Sequence, residues 1–246
     1  MKIATLNTWG NSGPYQERWN FLWQELHSLA PDVICLQEVF NPTLTEGIKT
    51  NLRFPFSAAS LEAGLCVITR FPIVVEEILN YHVVSPLESY ERSAILVTLE
   101  IGKEKLLIAN THLSWKLEDR QTRIAQIEEL LQAVKKLKTC AILTGDFNDI
   151  PESTPIEKIK SAGFIDTFNS LHHTSAGITW DNHNPFIRTH DVTFPNRRID
   201  FLFAEEKLLR RHALKTCEVA FNRHNEEGIY PSDHYGLLAE IEWKSI

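Results

Sequence analysis

Short apolar runs alternate with two long helical stripes along this chain, and the apolar runs stop at the same few kinds of polar residue. Met1 to Leu6 reads as a strand that breaks at Asn7 and Gly10. Tyr15 to Leu29 repeats Trp19, Leu22, Trp23, Leu26 and Leu29 at three- and four-residue steps. That spacing predicts an amphipathic helix closed by Pro31, with its tryptophans on the core face. Asp32 to Phe40 is a buried strand ending in Gln37 and Glu38. Asn41 to Asn51 reads as a short helix or loop, followed by Pro-containing loop sequence. Gly64 to Thr69 and Ile73 to Ile78 read as a hairpin-like pair across Arg70, Phe71 and Pro72.

Ser93 to Ile101 and Lys105 to Ala109 are strands around a turn at Gly102, the second running into Asn110, Thr111 and His112. Arg120 to Leu137 carries the second stripe (Ile124, Ile127, Leu130, Leu131, Val134, Leu137), with Arg123 and Gln126 off it. Ala141 to Pro151, AILTGDFNDIP, is an apolar run that delivers Asp146 and Asn148 to its carboxyl-terminal mouth, where layered α/β proteins bind ligands. Asp149 serves only the turn before Pro151. Thr154 to Ala162 forms a short helix with Thr154 as cap and Pro155 in its first turn. Phe164 to Asn196 is irregular. Arg198 to Ala204 is a strand containing Asp200, and Asp233 and His234 introduce the last strand. Strands in adjacent pairs point to one domain, residues 1–246, of class α/β: two packed mixed β-sheets flanked by helices.

Six strand ends thus carry acids, amides or histidines: Asn7, Glu38, His112, Asp146 with Asn148, Asp200, and Asp233 with His234. Any one of them can be a turn residue, and Asp200 with His234 can be a buried couple bracing the sheets. If they converge, four carboxylates cannot all stay ionised without a cation. Oxygen ligands suit Mg²⁺, or Mn²⁺, better than Zn²⁺. HExxH, CxxC, a P-loop and a G-x-S-x-G elbow are absent, which leaves hydrolysis by metal-activated water.

The net charge of −7 argues against a broad nucleic-acid-binding surface, though not against an acidic cleft that holds a phosphate through a cation. Cys35, Cys66, Cys140 and Cys217 lie far apart and read as reduced residues. No apolar run reaches the roughly 20 residues that span a bilayer. No leader pattern precedes the first strand, so a cytoplasmic protein is the expectation; the sequence does not fix its oligomeric state, and a monomer is assumed.

N-T-W-G at Asn7, L-Q-E-V at Leu36 to Val39, N-T-H-L at Asn110 to Leu113, G-D-F-N at Gly145 to Asn148, R-I-D-F at Arg198 to Phe201 and S-D-H at Ser232 to His234 occur in the order of the endonuclease/exonuclease/phosphatase superfamily, which the chain resembles from residue 3 to about 242. The resemblance implies a four-layer α/β sandwich that hydrolyses phosphoesters with Mg²⁺. It implies Glu38 as principal metal ligand, Asn7 as ligand or orienting amide, and Asp233 completing the metal shell. Asp146 would align or deprotonate the attacking water, Asn148 would hold a phosphate oxygen, and His112 would contact the phosphoryl oxygens. His234, oriented by Asp200, would stabilise the developing charge.

Abasic-site endonucleases of the superfamily usually carry an acid where this chain has Trp9. The N-T-H-L segment is shared with sphingomyelinase-like, deadenylase-like and 5′-tyrosyl-DNA phosphodiesterase-like branches. Thr179-Trp180-Asp181 and the segment Pro231 to Leu238 look most like the last of these. The implied partner is a phosphoester, such as a single-stranded nucleic-acid end, with Trp180 and Arg198 as substrate-binding candidates. Arg197, Arg210 and Arg211 are either solvated or backbone-contacting. His172, His173, His183 and His190 read as rim or surface residues without a metal. A phosphatase or sphingomyelinase-like phosphodiesterase, and a non-catalytic binding module, are the competing classes.

Overall fold

Strands whose side chains are buried on both faces need a layer on each side, and that requirement sets the architecture. The computed structural model describes residues 1–191 and 193–244; position 192 and residues 245 and 246 of the expected domain lie outside the described residues. In chain order the first sheet takes β1 (Lys2–Asn7), β2 (Val33–Gln37), β3 (Phe56–Ser60) and β4 (Leu65–Thr69). The second takes β5 (Ile73–Asn80), β6 (Ser93–Ile101), β7 (Glu104–His112), β8 (Cys140–Asp146), β9 (Phe164–Asp166) and β10 (Asp200–Glu205). The chain then returns to the first sheet with β11 (Ala213–Ala220) and β12 (Gly236–Glu242). The orders are β11-β12-β1-β2-β4-β3 and β5-β6-β7-β8-β10-β9, with β1–β2 and β7–β8 parallel and the other pairs antiparallel.

Ile3, Val33, Val67, Val97, Ile108, Ile142, Leu202 and Leu237 fill the space between the sheets. The opposite faces pack on helices. Ala4, Leu6, Ile34 and Leu36 meet Trp19, Leu22 and Leu26 of α1 (Tyr15–Leu29) and Ile48 of α2 (Pro42–Leu52). Leu107, Leu143 and Phe203 meet Ile127 and Leu130 of α3 (Arg120–Lys136) and Ile156 and Ile159 of α4 (Thr154–Ser161). Two mixed six-stranded sheets with helices outside give the expected α/β sandwich. Among the described residues no helix is long and apolar enough to cross a membrane, and all four cysteines are free.

Four local expectations change. The runs of β4 and β5 do not pair: β4 is buried and joins β2 and β3, while mostly exposed β5 is the edge of the other sheet. Arg70, Phe71 and Pro72 therefore carry the chain between sheets. β3 escapes a periodicity reading because Phe56–Ser60 is mostly Ser and Ala. Within the expected irregular stretch, residues 164–171 form β9 and α5 (Thr167–Leu171). Ser153, not Thr154, is the N-cap residue of α4.

Arg18 of α1 is fully buried and has no carboxylate partner in hydrogen-bond contact. Its guanidinium donates to the carbonyls of Thr8, Trp9, Gly10, Ser12 and Pro231, at 2.8 to 3.4 Å. Burial pulls its pKa down to about 10, against the charges of Asp233 and Glu38, so it stays protonated at neutral pH. It ties the loop after β1 to the loop before β12. Arg18→Met leaves those buried carbonyls unpaired and should cost about 3 kcal/mol or more in chemical denaturation. A loss under about 0.5 kcal/mol would show that water replaces the guanidinium.

Candidate active site

Strand register brings the expected residues to one edge of the sandwich. In the second sheet His112 lies opposite Asp146 across the β7–β8 pair, and Asp146 lies opposite Asp200 across β8–β10. In the first sheet Asn7 lies opposite Gln37, one residue before Glu38. Gly145 makes the β7–β8 approach: a Cβ there would sit 1.9 Å from Thr111 O, and its φ is +137°. Glu38 and Asn148 both take left-handed backbone, φ 58° and 51°, turning their side chains off the strand direction.

The two sheets exchange hydrogen bonds through these side chains. Asn7 Nδ2 donates to Glu38 Oε1 and to Asp146 Oδ2, both at 3.0 Å. Its Oδ1 accepts from the Trp9 N–H at 3.0 Å. Asn7 thus orients both acids through its amide N–H groups, with its oxygen turned to the backbone. His234 Nδ1 is 3.0 Å from Asp200 Oδ2, and its Nε2 is 3.9 Å from Asp146 Oδ2. His112 Nε2 approaches the same Asp146 oxygen at 3.4 Å. The Asn148 backbone N–H donates to Asp146 Oδ1, and its side-chain amide donates to Leu113 O.

Asn7, Asp146, Asp200 and Asp233 are at most 2 % exposed, so charge here is governed by burial and neighbours. Burial and the Asp200 charge push Asp146 up to about 7, although His234 opposes this. Burial alone would depress His234, but Asp200, Asp233 and Asp146 outweigh it and raise it to about 10. His112 is held well below the ordinary histidine range by burial, Arg92 and His234, and is neutral. Glu38 is raised by burial and by Asp233.

Asp146, Asp200 and His234 each offer a ligand-type atom within 4.8 Å of the others. A protonated His234 already supplies the cation there. Glu38 and Asp233 form the second acid group, and Glu38 keeps part of its surface open to the cleft. Two hard carboxylates, one of which raises the pKa of the other, fit a divalent cation. Asp233 Oδ1 accepts from Ser232 Oγ and the His234 N–H, while Oδ2 faces His190 Nε2 at 2.8 Å.

The cleft holds about 380 Å³ and is lined by Trp9, Tyr90, Arg92, Trp115, Trp180, His190, Phe194 and Arg197 besides the acids, amides and histidines. Trp180 stands where the sequence placed it, its ring 5.0 Å from that of His234. Arg198 does not. Its guanidinium is buried and makes two bonds to Asp166, at 2.8 and 3.1 Å, away from the cleft. Side-chain alternation at the start of β10 gives the cleft to Arg197 instead. Asp149 is also more than a turn residue: Arg123 Nε donates to it at 2.8 Å and Arg123 Nη1 holds the Ser114 and Lys116 carbonyls.

Sequence reading missed Tyr90, Arg92 and Trp115. It followed the carboxyl ends of strands, but β6 is antiparallel to β7, so the residue preceding β6 reaches the same edge as His112. Arg92 is fixed there by Glu88 at 2.8 Å and lies over the Tyr90 ring, 4.5 Å from its centroid.

Residues 4–234 match the Endonuclease/Exonuclease/phosphatase family. The chain belongs to this family. Its members are hydrolytic nucleases and phosphodiesterases, and the acid, amide and histidine set at one sandwich edge is phosphoesterase chemistry. The chain is 25% identical over 186 residues to a probable CCR4-Not complex 3′-5′-exoribonuclease subunit Ccr4 of Vairimorpha ceranae, covering 67% of this chain and 38% of that protein. It is 25% identical over 190 residues to an inositol phosphosphingolipids phospholipase C of Schizosaccharomyces pombe, covering 67% and 45%. The chain spans less than half the length of these relatives. The fold is shared with TDP2 of D. rerio crystallised with a single-strand DNA product, at TM-score 0.81, 20% identity and 98% coverage of both chains.

Coupling of Asp200 to His234 has a direct readout. Asp200→Asn should lower the His234 pKa by about one unit or more in an NMR titration of the ring protons. An unchanged pKa would show that the pair is not electrostatically coupled.

Proposed function

We propose that the chain is a Mg²⁺-dependent phosphodiesterase acting on single-stranded nucleic-acid ends, built as one catalytic domain over residues 1–246. The observation that carries this reading is the cleft wall. Rings of Tyr90 and Trp115 stand beside the guanidinium groups of Arg92 and Arg197 over the acid and histidine set. Rings with interleaved cations are the chemistry that stacks bases and follows phosphates. The exoribonuclease relative supports it, as does the fold shared with a protein crystallised with single-strand DNA product. Free cysteines fit a reducing compartment, and we place the protein in the cytoplasm. A site complete within one chain supports a monomer.

Glu38 and Asp233 would hold the cation, which when bound neutralises charge on the phosphoryl oxygens. Asp146, with its pKa near neutrality, aligns the attacking water and accepts its proton, while the Asn7 amide fixes the carboxylate. Asn148 and His112 contact phosphoryl oxygens. His234, kept protonated by Asp200, stabilises the charge that builds as the bond to the leaving oxygen breaks. Every one of these positions carries a competent side chain, which disfavours a pure binding module.

A panel of a 5′-tyrosyl oligonucleotide, a short linear single strand, sphingomyelin and sugar phosphates tests the substrate class. Hydrolysis of the first two is expected; hydrolysis of only the last two would reject the nucleic-acid reading in favour of a lipid or small phosphoester. Asn148→Ala and His234→Ala should each reduce kcat by about 100-fold or more, and wild-type rates in either would overturn its assignment. Chelation should abolish activity and Mg²⁺ or Mn²⁺ restore it, whereas rescue by Zn²⁺ alone would count against the oxygen-ligand argument.

A further inference from the structure

Trp9 is the residue of the first motif that the reaction does not use. Its ring lies 5.1 Å from that of Phe186 and 5.9 Å from that of His190. His190 in turn lies 5.2 Å from the Trp180 ring and bonds to Asp233. Rings therefore run without a gap from the loop after β1 to the 180–197 segment, past Asn7, Asp233 and His234. Trp9 is only 9 % exposed, and the Arg18 guanidinium sits 4.9 Å from its centroid. Gly13 leaves it no slack, since a Cβ there would come within 2.8 Å of the indole. A ring packed on this many sides has no free face for a base to stack on. It is a barrier.

The other flank of the cleft differs. Tyr90 is 50 % exposed there, and Arg92, Arg197 and Trp115, with Lys116 Nζ 3.9 Å from the Trp115 centroid, form its walls. Arg92 and Arg197 line the cleft here, where a strand's further phosphates would pass.

We propose that the Trp9–Phe186–His190 wall closes one end of the cleft, so that a strand can enter only by its terminus. The wall makes Trp9 a specificity-determining residue that rejects internal phosphodiesters. This rests on the nucleic-acid reading above and adds the direction of the strand: one short group against the wall, the remaining chain leaving past Arg92 and Arg197.

The test compares a circular single-stranded oligonucleotide with the linear form of the same sequence, in Mg²⁺, for the wild type, Trp9→Gly and Phe186→Ala. Position 9 has φ 56°, so glycine removes the ring without straining the backbone. The wild type should cut the linear form at least about tenfold faster than the circle, and Trp9→Gly should narrow that ratio by about tenfold. Phe186→Ala should narrow it in the same direction. The ratio is internal to each enzyme preparation, so a partly folded variant does not distort it. Equal rates on circle and linear form in the wild type, or an unchanged ratio in both variants, overturn the wall. Cleavage of neither form by the wild type overturns the nucleic-acid reading and the strand direction with it.

Discussion

One hydrogen bond crosses the seam between the two sheets directly beneath the cleft: Gln37 Nε2 donates to Asn110 Oδ1 at 2.6 Å. Asn110 then donates to the carbonyls of Leu36 and Cys66, so a side chain of β7 is tied to two strands of the opposite sheet. These groups are fully buried, and leaving any of them unpaired would cost its desolvation. The bond therefore fixes how the mouths of the two sheets face each other. Everything above it depends on that registration, because the site is divided: Asn7, Glu38, Asp233 and His234 come from the first sheet, and His112, Asp146, Asn148 and Asp200 from the second.

Charge is arranged across the same seam. Asp200 and Asp146 of one sheet hold His234 of the other in its protonated form, and Asn7 of the first sheet steadies Asp146 of the second. Three buried acids around one imidazolium, with Glu38 beside them, leave a net negative site on an already acidic molecule. Attraction for a polyanion then falls to the few guanidinium groups on the rim. This explains how a chain of net charge −7 can carry a phosphate-directed cleft without a basic surface.

The candidate set was legible because six strand ends repeat acids, amides or histidines, although any one of them alone can be a turn residue. Layers were legible too, since runs such as those of β7 and β8 are apolar on both faces. What stayed hidden depends on pairing partners that sequence does not name. β4 and β5 look like a hairpin until each finds its own sheet. Arg92 precedes a strand, and its place at the mouth follows only from antiparallel pairing. Arg197 and Arg198 are neighbours with identical chemistry, yet one reaches the cleft and the other closes on Asp166, a distinction set by one step of alternation. Phe186 lies in a single 3-10 turn, Pro185–Thr189, and His190 follows it, too short a stretch for a period to read.

The divided site also bears on how the protein comes into being. Glu38 and Asp233 come with one sheet and Asp146 with the other, so a folding intermediate with one sheet assembled holds only half of the candidate groups. β1 and β12 are neighbours in one sheet, so that sheet closes only after the chain has been synthesised through residue 242. Until then the groups that the two sheets carry cannot meet at one edge.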